Sequence, residues 1–411
     1  MSKKPLGVDV LTAAKGRIKE VFQYFPRVYL SFSGGKDSAV MFHLAAEEAR
    51  ATGKTMGVLI VDLEAQYAHT ISHVRAMLDE YSDCIEPFWV ALPIALRNAV
   101  SVYEPKWLCW DPATKDAWVR QPDPQSITRP DVFPFFEQGM EFEDFVPRFG
   151  EWYSQGLPTA CLVGIRTDES LNRYRTITSK TKKTFGGRCW TTRIWQTSVY
   201  NAYPIYDWRT KDIWTYFAKT GKQYNRLYDL MHQAGLTIHQ QRICQPYGDD
   251  QRKGLWLYHV IEPETWARVV ARVSGVNSGS EFVQFNGNGS GQVKISKPDG
   301  HTWQSFCSLI LESLPDHMAD HYRNKIHVFL RWYEERGFPS GIPDEADAKE
   351  EAARKVPSWR RIAKMLLRND YWAKGLSFSQ TKHGYHYQQY MKRIKEDREQ
   401  CKRQNGRISI P

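Results

Sequence analysis

The residues with the most chemical content lie close together near the start of the chain, in Ser31-Phe32-Ser33-Gly34-Gly35-Lys36-Asp37-Ser38. Gly34 and Gly35 accept backbone conformations closed to other residues and let main chain approach a ligand closely. Amide N–H groups in such a turn converge on an anion. A helix starting there adds its positive N-terminal end. Ser33 and Ser38 supply hydroxyls and Lys36 a positive charge. Asp37 would repel phosphate if bare, so it implies a Mg²⁺ between carboxylate and phosphates. The spacing is not that of the Walker A loop, which needs more residues before its Gly-Lys. The plainer alternative is a Gly-Gly turn capped by Ser33. Ser, Lys, Asp and Ser together favour a grip on polyphosphate.

Two more clusters invite the same reading. Val61-Asp62-Leu63-Glu64 ends an apolar run, and ligands of open α/β sheets bind beyond the carboxyl ends of strands. Asp62 and Glu64 either meet a ribose, base or metal there, or simply open the next helix, where acids suit the dipole. The third cluster runs from Gly164 through Arg166, Asp168, Glu169 and Arg173 to Arg175, again after an apolar run. Arg166 and Arg173 suit forked contacts to phosphate or sulfate oxygens, and Glu169 can hold one of them by a charge pair.

These clusters need elements to place them. Residues 8 to about 24 carry apolar residues at helical spacing, and Pro26 stops that helix. Arg27 onward reads as a strand running into the Gly-Gly turn. Lys36 to Arg50 reads as a helix, closed by Gly53. Residues 56–62 read as a strand buried on both faces, 66–81 as a helix, 85–92 as a third strand and 159–165 as a fourth. This alternation predicts an open α/β sheet with right-handed crossovers. Residues 95 to about 150, rich in Trp, Pro and Asp, interrupt it as an insertion. A helix follows Tyr203, with Thr210 or Asp207 as its N-cap. Residues 277–292 are rich in Gly, Asn and Ser and read as a loop. Helical patterns then occupy 303–313, 316–336, 357–367 and 384–401. The domain division expected is 1–260 and 261–411.

The chain has 411 residues and a formal net charge of +10, which favours anionic partners. Fifteen Trp and 21 Tyr serve either as core or as stacking surfaces for bases. The sequence shows no apolar run long enough to span a bilayer and no secretory leader, so the expected location is cytoplasmic. Seven scattered cysteines without a C-x-x-C pair argue against a disulfide framework and a self-contained zinc or four-cysteine iron–sulfur site.

Ser33–Ser38 resembles the PP-loop of the adenine nucleotide alpha-hydrolase superfamily, which includes ATP pyrophosphatases and phosphoadenosine phosphosulfate (PAPS) reductases. G-x-R-x-x-E-S-x-x-R, Gly164 to Arg173, resembles a second motif of PAPS-reductase-like proteins. Pro204, Trp208, Asp212, Ile213 and Trp214 resemble a third. The resemblance covers residues 27–217, and it implies a doubly wound parallel sheet, with the insertion and helical C-terminal region as additions. It implies ATP or a PAPS-like adenine nucleotide as ligand, with Mg²⁺, and cleavage between the α and β phosphates to adenylate or activate an acceptor. Ser31, Ser33, Gly34, Gly35, Lys36, Asp37, Ser38, Asp62, Glu64, Gly164 and Arg166 would line the nucleotide. Lys36, Asp37, Arg166 and Arg173 would act on it, and Asp37 would hold the metal.

The reductases attack sulfur with a C-terminal thiolate in an E-C-G-[IL]-H setting, and this sequence has none. Reduction of PAPS is therefore the alternative reading. The string from Gln245 to His259, with Trp110-Asp111-Pro112, resembles an IbrA-like branch found in phage and mobile elements. That branch often travels with a ParB/sulfiredoxin-like partner, so a third reading is a non-catalytic nucleotide-sensing subunit beside a DNA-bound partner. Arg242, Asp249, Asp250, Arg252 and Lys253 either line the acceptor side or form a surface turn. The basic helix at 384–401 either touches nucleic acid through phosphates or presents a solvated face.

Overall fold

The computed structural model describes residues 7–101, 104–194, 197–248, 254–273, 276 and 296–378. Asp249, Asp250, Arg252, Lys253, the 277–292 segment and the basic 384–401 segment lie outside the described residues. Two compact units form. One comprises Met1–Leu96, Leu108–Pro246 and Gly254–Val273, the other Arg97–Trp107, Tyr247–Lys253 and Ser274–Pro411.

The first unit is built on a six-stranded sheet. Its strands are β1 (Arg27–Ser31), β2 (Met56–Val61), β3 (Ile85–Val90), β4 (Thr159–Val163), β5 (Thr191–Arg193) and β6 (Val199–Ala202), in the spatial order β3-β2-β1-β4-β6-β5. All neighbours are parallel except β5 with β6. The central strands are apolar because helices cover both faces. Helix α1 (Val10–Tyr24) begins at an Asp9 cap whose carboxylate accepts the Leu11 and Thr12 amides. Helix α2 (Lys36–Thr52) follows β1 and ends at Gly53; α3 (Ala68–Glu80) follows β2. The core joins Phe22, Leu30, Val40, Met41, Val58 and Leu162.

The insertion is more ordered than its composition suggests. It ends in α4 (Phe142–Ser154), a helix that the Trp- and Pro-rich reading did not anticipate. Phe145, Phe149 and Tyr153 are its buried aromatics. Phe149 and Tyr153 pack edge-on against Tyr29 of β1, at centroid distances of 5.5 and 5.2 Å. Much of the aromatic content thus serves as core. Beyond β4 come α5 (Leu171–Thr178), α6 (Thr210–Thr220), α7 (Leu227–Gln233), α8 (Trp256–Ile261) and α9 (Pro263–Arg272). Neither Asp207 nor Thr210 caps α6. Arg209 is the cap residue and its amide donates to Asp212 at 2.7 Å, while Asp207 is spent on Arg17 of α1 at 2.7 Å.

In the second unit, α10 (Trp303–Ser313), α11 (Asp316–Glu334), α12 (Ala348–Ala352) and α13 (Trp359–Leu367) surround Cys307, Tyr322, Ile326, Phe329 and Ile362. Thr302 caps α10 and Ser358 caps α13 through their hydroxyls. No helix among the described residues is long and apolar enough to cross a membrane.

Candidate functional site

Strand order fixes where a ligand can sit. The chain runs β1-β2-β3 to one side of β1, then returns to place β4 on the other side, so a crevice opens beyond the carboxyl ends of β1 and β4. Ser31 is the register partner of Val163. The PP-loop and the Gly164–Arg173 segment therefore leave the sheet side by side, one strand spacing of about 4.8 Å apart. A Cβ at Gly164 would lie 3.0 Å from the Asp37 carbonyl carbon and from the Ser38 nitrogen. Only glycine lets these two main chains approach so closely.

Gly34 has φ +72°, and a Cβ there would lie 2.8 Å from Thr70 Cγ2 on α3. The Asn225 side-chain amide locks this turn, donating to the Gly34 carbonyl at 3.1 Å and the Thr70 hydroxyl at 3.0 Å. Ser33 and Ser38 hydroxyls meet at 3.0 Å across the loop, and the Ser38 hydroxyl donates to the Gly35 carbonyl at 3.0 Å. Gly35, the cap residue of α2, offers the first turn no side chain. Tyr228 of α7 reaches in instead, and its hydroxyl accepts the Lys36 amide at 3.0 Å. Asn225 and Tyr228 are site residues that motif spacing did not expose.

Charge gathers over this turn. The Lys36 ammonium lies 3.3 Å from the Gln241 carbonyl and 3.5 Å from Asp37, with the Tyr228 ring 5.0 Å away. Burial pushes the Lys36 pKa down, the Arg166 and Arg242 charges push the same way, and Asp37 opposes them. Arg166 is 2% exposed. Its Nε donates to Asp37, while Nη1 lies 3.8 Å from Asp168 and 3.4 Å from the Thr210 hydroxyl. Glu169 accepts the Arg166 amide at 3.2 Å and pairs with the half-exposed Arg173. Arg242 is exposed and donates to the Glu169 carbonyl at 3.3 Å. The structure thus brings together Ser33–Ser38, Gly164, Arg166, Arg173 and Arg242. Ser31 ends β1 just behind them.

Two expectations need correction. Asp62 and Glu64 are 0% exposed and saturated by protein donors. Asp62 accepts the Glu64 amide at 3.0 Å, the Trp89 indole at 3.1 Å and Arg120. Glu64 accepts the Trp110 amide at 2.6 Å, the Val119 amide at 3.1 Å and Arg272 at 2.7 Å. They anchor the insertion and α9 to the end of β2 instead of facing a ligand. The Asp37 carboxylate is likewise committed, one oxygen to Arg166 and the other beside Lys36. Those donors do not make a protein-held magnesium site.

The helix starts at this edge differ in what fills them. Glu262 accepts the first two amides of α3, at 3.0 and 3.3 Å, and pairs with His69 at 2.7 Å. Ser170 caps α5. At α2 the side-chain acceptor found among the described residues is Tyr228, a neutral hydroxyl that burial keeps protonated. An anion is therefore best received at α2.

Comparison with known proteins adds the lineage. Residues 151–234 match the phosphoadenosine phosphosulfate reductase domain, and residues 235–340 match a domain of unknown function, DUF3440. The PP-loop precedes the first matched segment. The chain is 48% identical over 400 residues to the uncharacterized protein YbdN of Escherichia coli K12, covering 97% of both chains. Among solved structures it is similar to the PAPS reductase of Candida auris, at 12% identity over 53% of this chain and 85% of that one, with a TM-score of 0.28. It is also similar to the U34-tRNA thiolase NcsA of Methanococcus maripaludis, at 11% identity over 73% and 88%, TM-score 0.30. The FMN adenylyltransferase of Candida glabrata follows at 14% identity over 53% and 57%, TM-score 0.30. Identities and scores of that size transfer no activity. The chain thus carries a phosphoadenosine phosphosulfate reductase domain at residues 151–234 and belongs, over nearly its whole length, to the same family as YbdN.

Proposed function

We propose that this chain binds ATP, or a closely related adenine nucleotide, at the PP-loop and cleaves it between the α and β phosphates to adenylate or activate an acceptor. The carrying observation is the convergence of Lys36, Arg166 and Arg242 on the first turn of α2, which among the described residues is filled by only a neutral tyrosine hydroxyl. In the proposed step an acceptor oxygen or nitrogen attacks the α phosphorus. The bond to the bridging oxygen breaks, pyrophosphate leaves with the electron pair, and the acceptor's proton passes to solvent. The PP-loop amides position the phosphates. Lys36 exchanges its contact with the Gln241 carbonyl for phosphate oxygen. Arg166 fixes Asp37 and the Gly164 loop, and Arg173 and Arg242 stand at the rim to meet the leaving charge. The nucleotide would bring its magnesium with it, since Asp37 is already paired.

Burial weighs against four of the cysteines as nucleophiles of a sulfonucleotide reduction, while Cys189 is exposed and Cys244 half-buried. Burial raises the pKa of Cys84, Cys109, Cys161 and Cys307, the last two to about 12, which suppresses their thiolates. A ParB/sulfiredoxin-like partner belongs to this proposal as the family resemblance implies it, and a nucleic-acid partner and an acceptor role for residues 249–253 belong to it from the sequence alone.

Incubation of the chain with ATP and Mg²⁺, followed by product analysis, decides. AMP and pyrophosphate support the reading, and ADP with phosphate rejects it. Sulfite released from PAPS with thioredoxin would establish the reductase. Nucleotide binding with no product, with or without a DNA-bound partner, would establish a sensor.

A further inference from the structure

The insertion lines a half-open cavity of about 430 Å³ just past the carboxyl end of β3. That volume lies within the roughly 300–1,000 Å³ of small-molecule sites. Its walls include the indoles of Trp110 and Trp118, Phe136 and four prolines. Its polar groups include the Lys115 ammonium and the side-chain amides of Gln121 and Gln138. Among the described residues, one cation and no carboxylate line it.

Trp110 is held in an unusual state. Its φ is +52°, a left-handed conformation that a bulky residue keeps only when its surroundings enforce it. Glu64 enforces it by accepting the Trp110 amide at 2.6 Å, and the Trp110 indole N–H donates to the Asp62 carbonyl at 2.7 Å. The Trp118 indole N–H donates to the Asp111 carbonyl at 2.9 Å. The two rings stand nearly perpendicular, at 88° with centroids 5.2 Å apart. Both polar edges are thus fixed on main chain; Trp110 is 2% exposed with Arg120 5.2 Å from its ring, and it backs the half-buried Trp118, whose ring surface is what these walls offer a ligand. Backbone strain of this kind clusters at ligand sites. Here it is maintained by the Glu64 carboxylate and the Asp62 main-chain carbonyl, just past the end of β2.

We propose that this cavity binds a planar ring carrying one anionic group, of the size of a nucleoside monophosphate. Indole and proline walls stack on the ring, and the two amides offer donors and acceptors to its polar edge. Lys115 neutralises the anion, and a lining without carboxylates discriminates against cations. Asp62 and Glu64 act as positioning residues of this cavity. The end of β3 lies two strand spacings, roughly 10 Å, from the end of β1, so the cavity is separate from the crevice over the PP-loop. Its case stands on its own geometry, whichever nucleotide the PP-loop takes.

Calorimetric titration of the full chain with GMP, its uncharged counterpart guanosine, and 2-naphthoate tests this, with and without saturating ATP. Both anions are expected to bind, and GMP to do so equally with ATP present. Lys115→Ala, an exposed position, weakens GMP at least fivefold and leaves guanosine unchanged. Trp118→Ala weakens GMP and guanosine alike, by roughly 5- to 150-fold, the range for a lost base–aromatic stack. Circular dichroism verifies that both variants are folded. No heat from either anion overturns the proposal. So does displacement of GMP by ATP, or a folded Lys115→Ala chain that titrates like the unmodified one.

Discussion

Gly164→Ala would insert a methyl group 3.0 Å from the Asp37 carbonyl carbon, 3.0 Å from the Ser38 nitrogen and 3.1 Å from the Asp37 oxygen, where ordinary contact begins at 3.4 Å. The main chains must part by at least 0.4 Å, the difference of 3.4 and 3.0. No rotamer change relieves this, because the atoms met are backbone. Neither partner yields easily, since α2 is pinned through Tyr228 and β4 sits inside the sheet. Overpacking of this kind costs about 1–3 kcal/mol. At about 2–4 °C per kcal/mol for a unit this large, Tm should fall by about 2–12 °C. The amides of α2 shift against Arg166, so nucleotide affinity should fall at least tenfold. Differential scanning calorimetry and equilibrium nucleotide binding read the two effects. Gly16→Ala is the control: it lies exposed inside α1 with nothing within 4 Å of the added methyl. It should stabilise by about 0.5–1 kcal/mol. A Gly164→Ala chain that melts and binds nucleotide like the unmodified protein would refute the close approach of the two loops.

Glu64→Gln removes the buried charge facing Arg272 and should cost about 3–5 kcal/mol, read as a lower urea midpoint at constant slope. Tyr228→Phe strands the buried Lys36 amide at about 1–3 kcal/mol, and saturating ATP should narrow the Tm gap to the unmodified chain because a phosphate oxygen replaces the hydroxyl. Burial lowers the His73 pKa to about 4 from 6.5. The unfolded chain therefore takes up this proton first as pH falls. His73 contributes stability that is present above pH 6.5 and is lost as pH drops through about 4, about 3 kcal/mol in all. His73→Phe should flatten that acid limb in pH-dependent urea titrations, leaving the slopes from His43, also lowered by burial, and from His321 of the second unit, held at about 4 by burial.

The alternating strands and helices from Arg27 to Val90 were legible because period and punctuation are local: apolar runs, Gly-Gly, Gly53. The phosphate turn was legible for the same reason. What Asp62 and Glu64 do was not, since their partners Trp110, Arg120 and Arg272 lie 48, 58 and 208 residues away. Two acids at a strand end look alike whether they face a ligand or a buried arginine. Asn225 and Tyr228 escaped notice because each reaches the site across more than 190 residues. Helix α4 was hidden inside a segment whose tryptophans and prolines read as irregular. Asp207 carried the signature of a cap, yet a guanidinium from α1 claimed it.

The register of β1 also bears on how the chain is made. Arg27 pairs with Thr159, so this strand, central in the finished sheet, is synthesised 132 residues before its neighbour on that side (159 minus 27). At 5–20 residues per second, the ribosome leaves that flank bare for roughly 7–26 s. Bare strand flanks recruit other chains. The nascent protein should therefore depend on chaperones during that interval, and a truncation ending before Thr159 should aggregate.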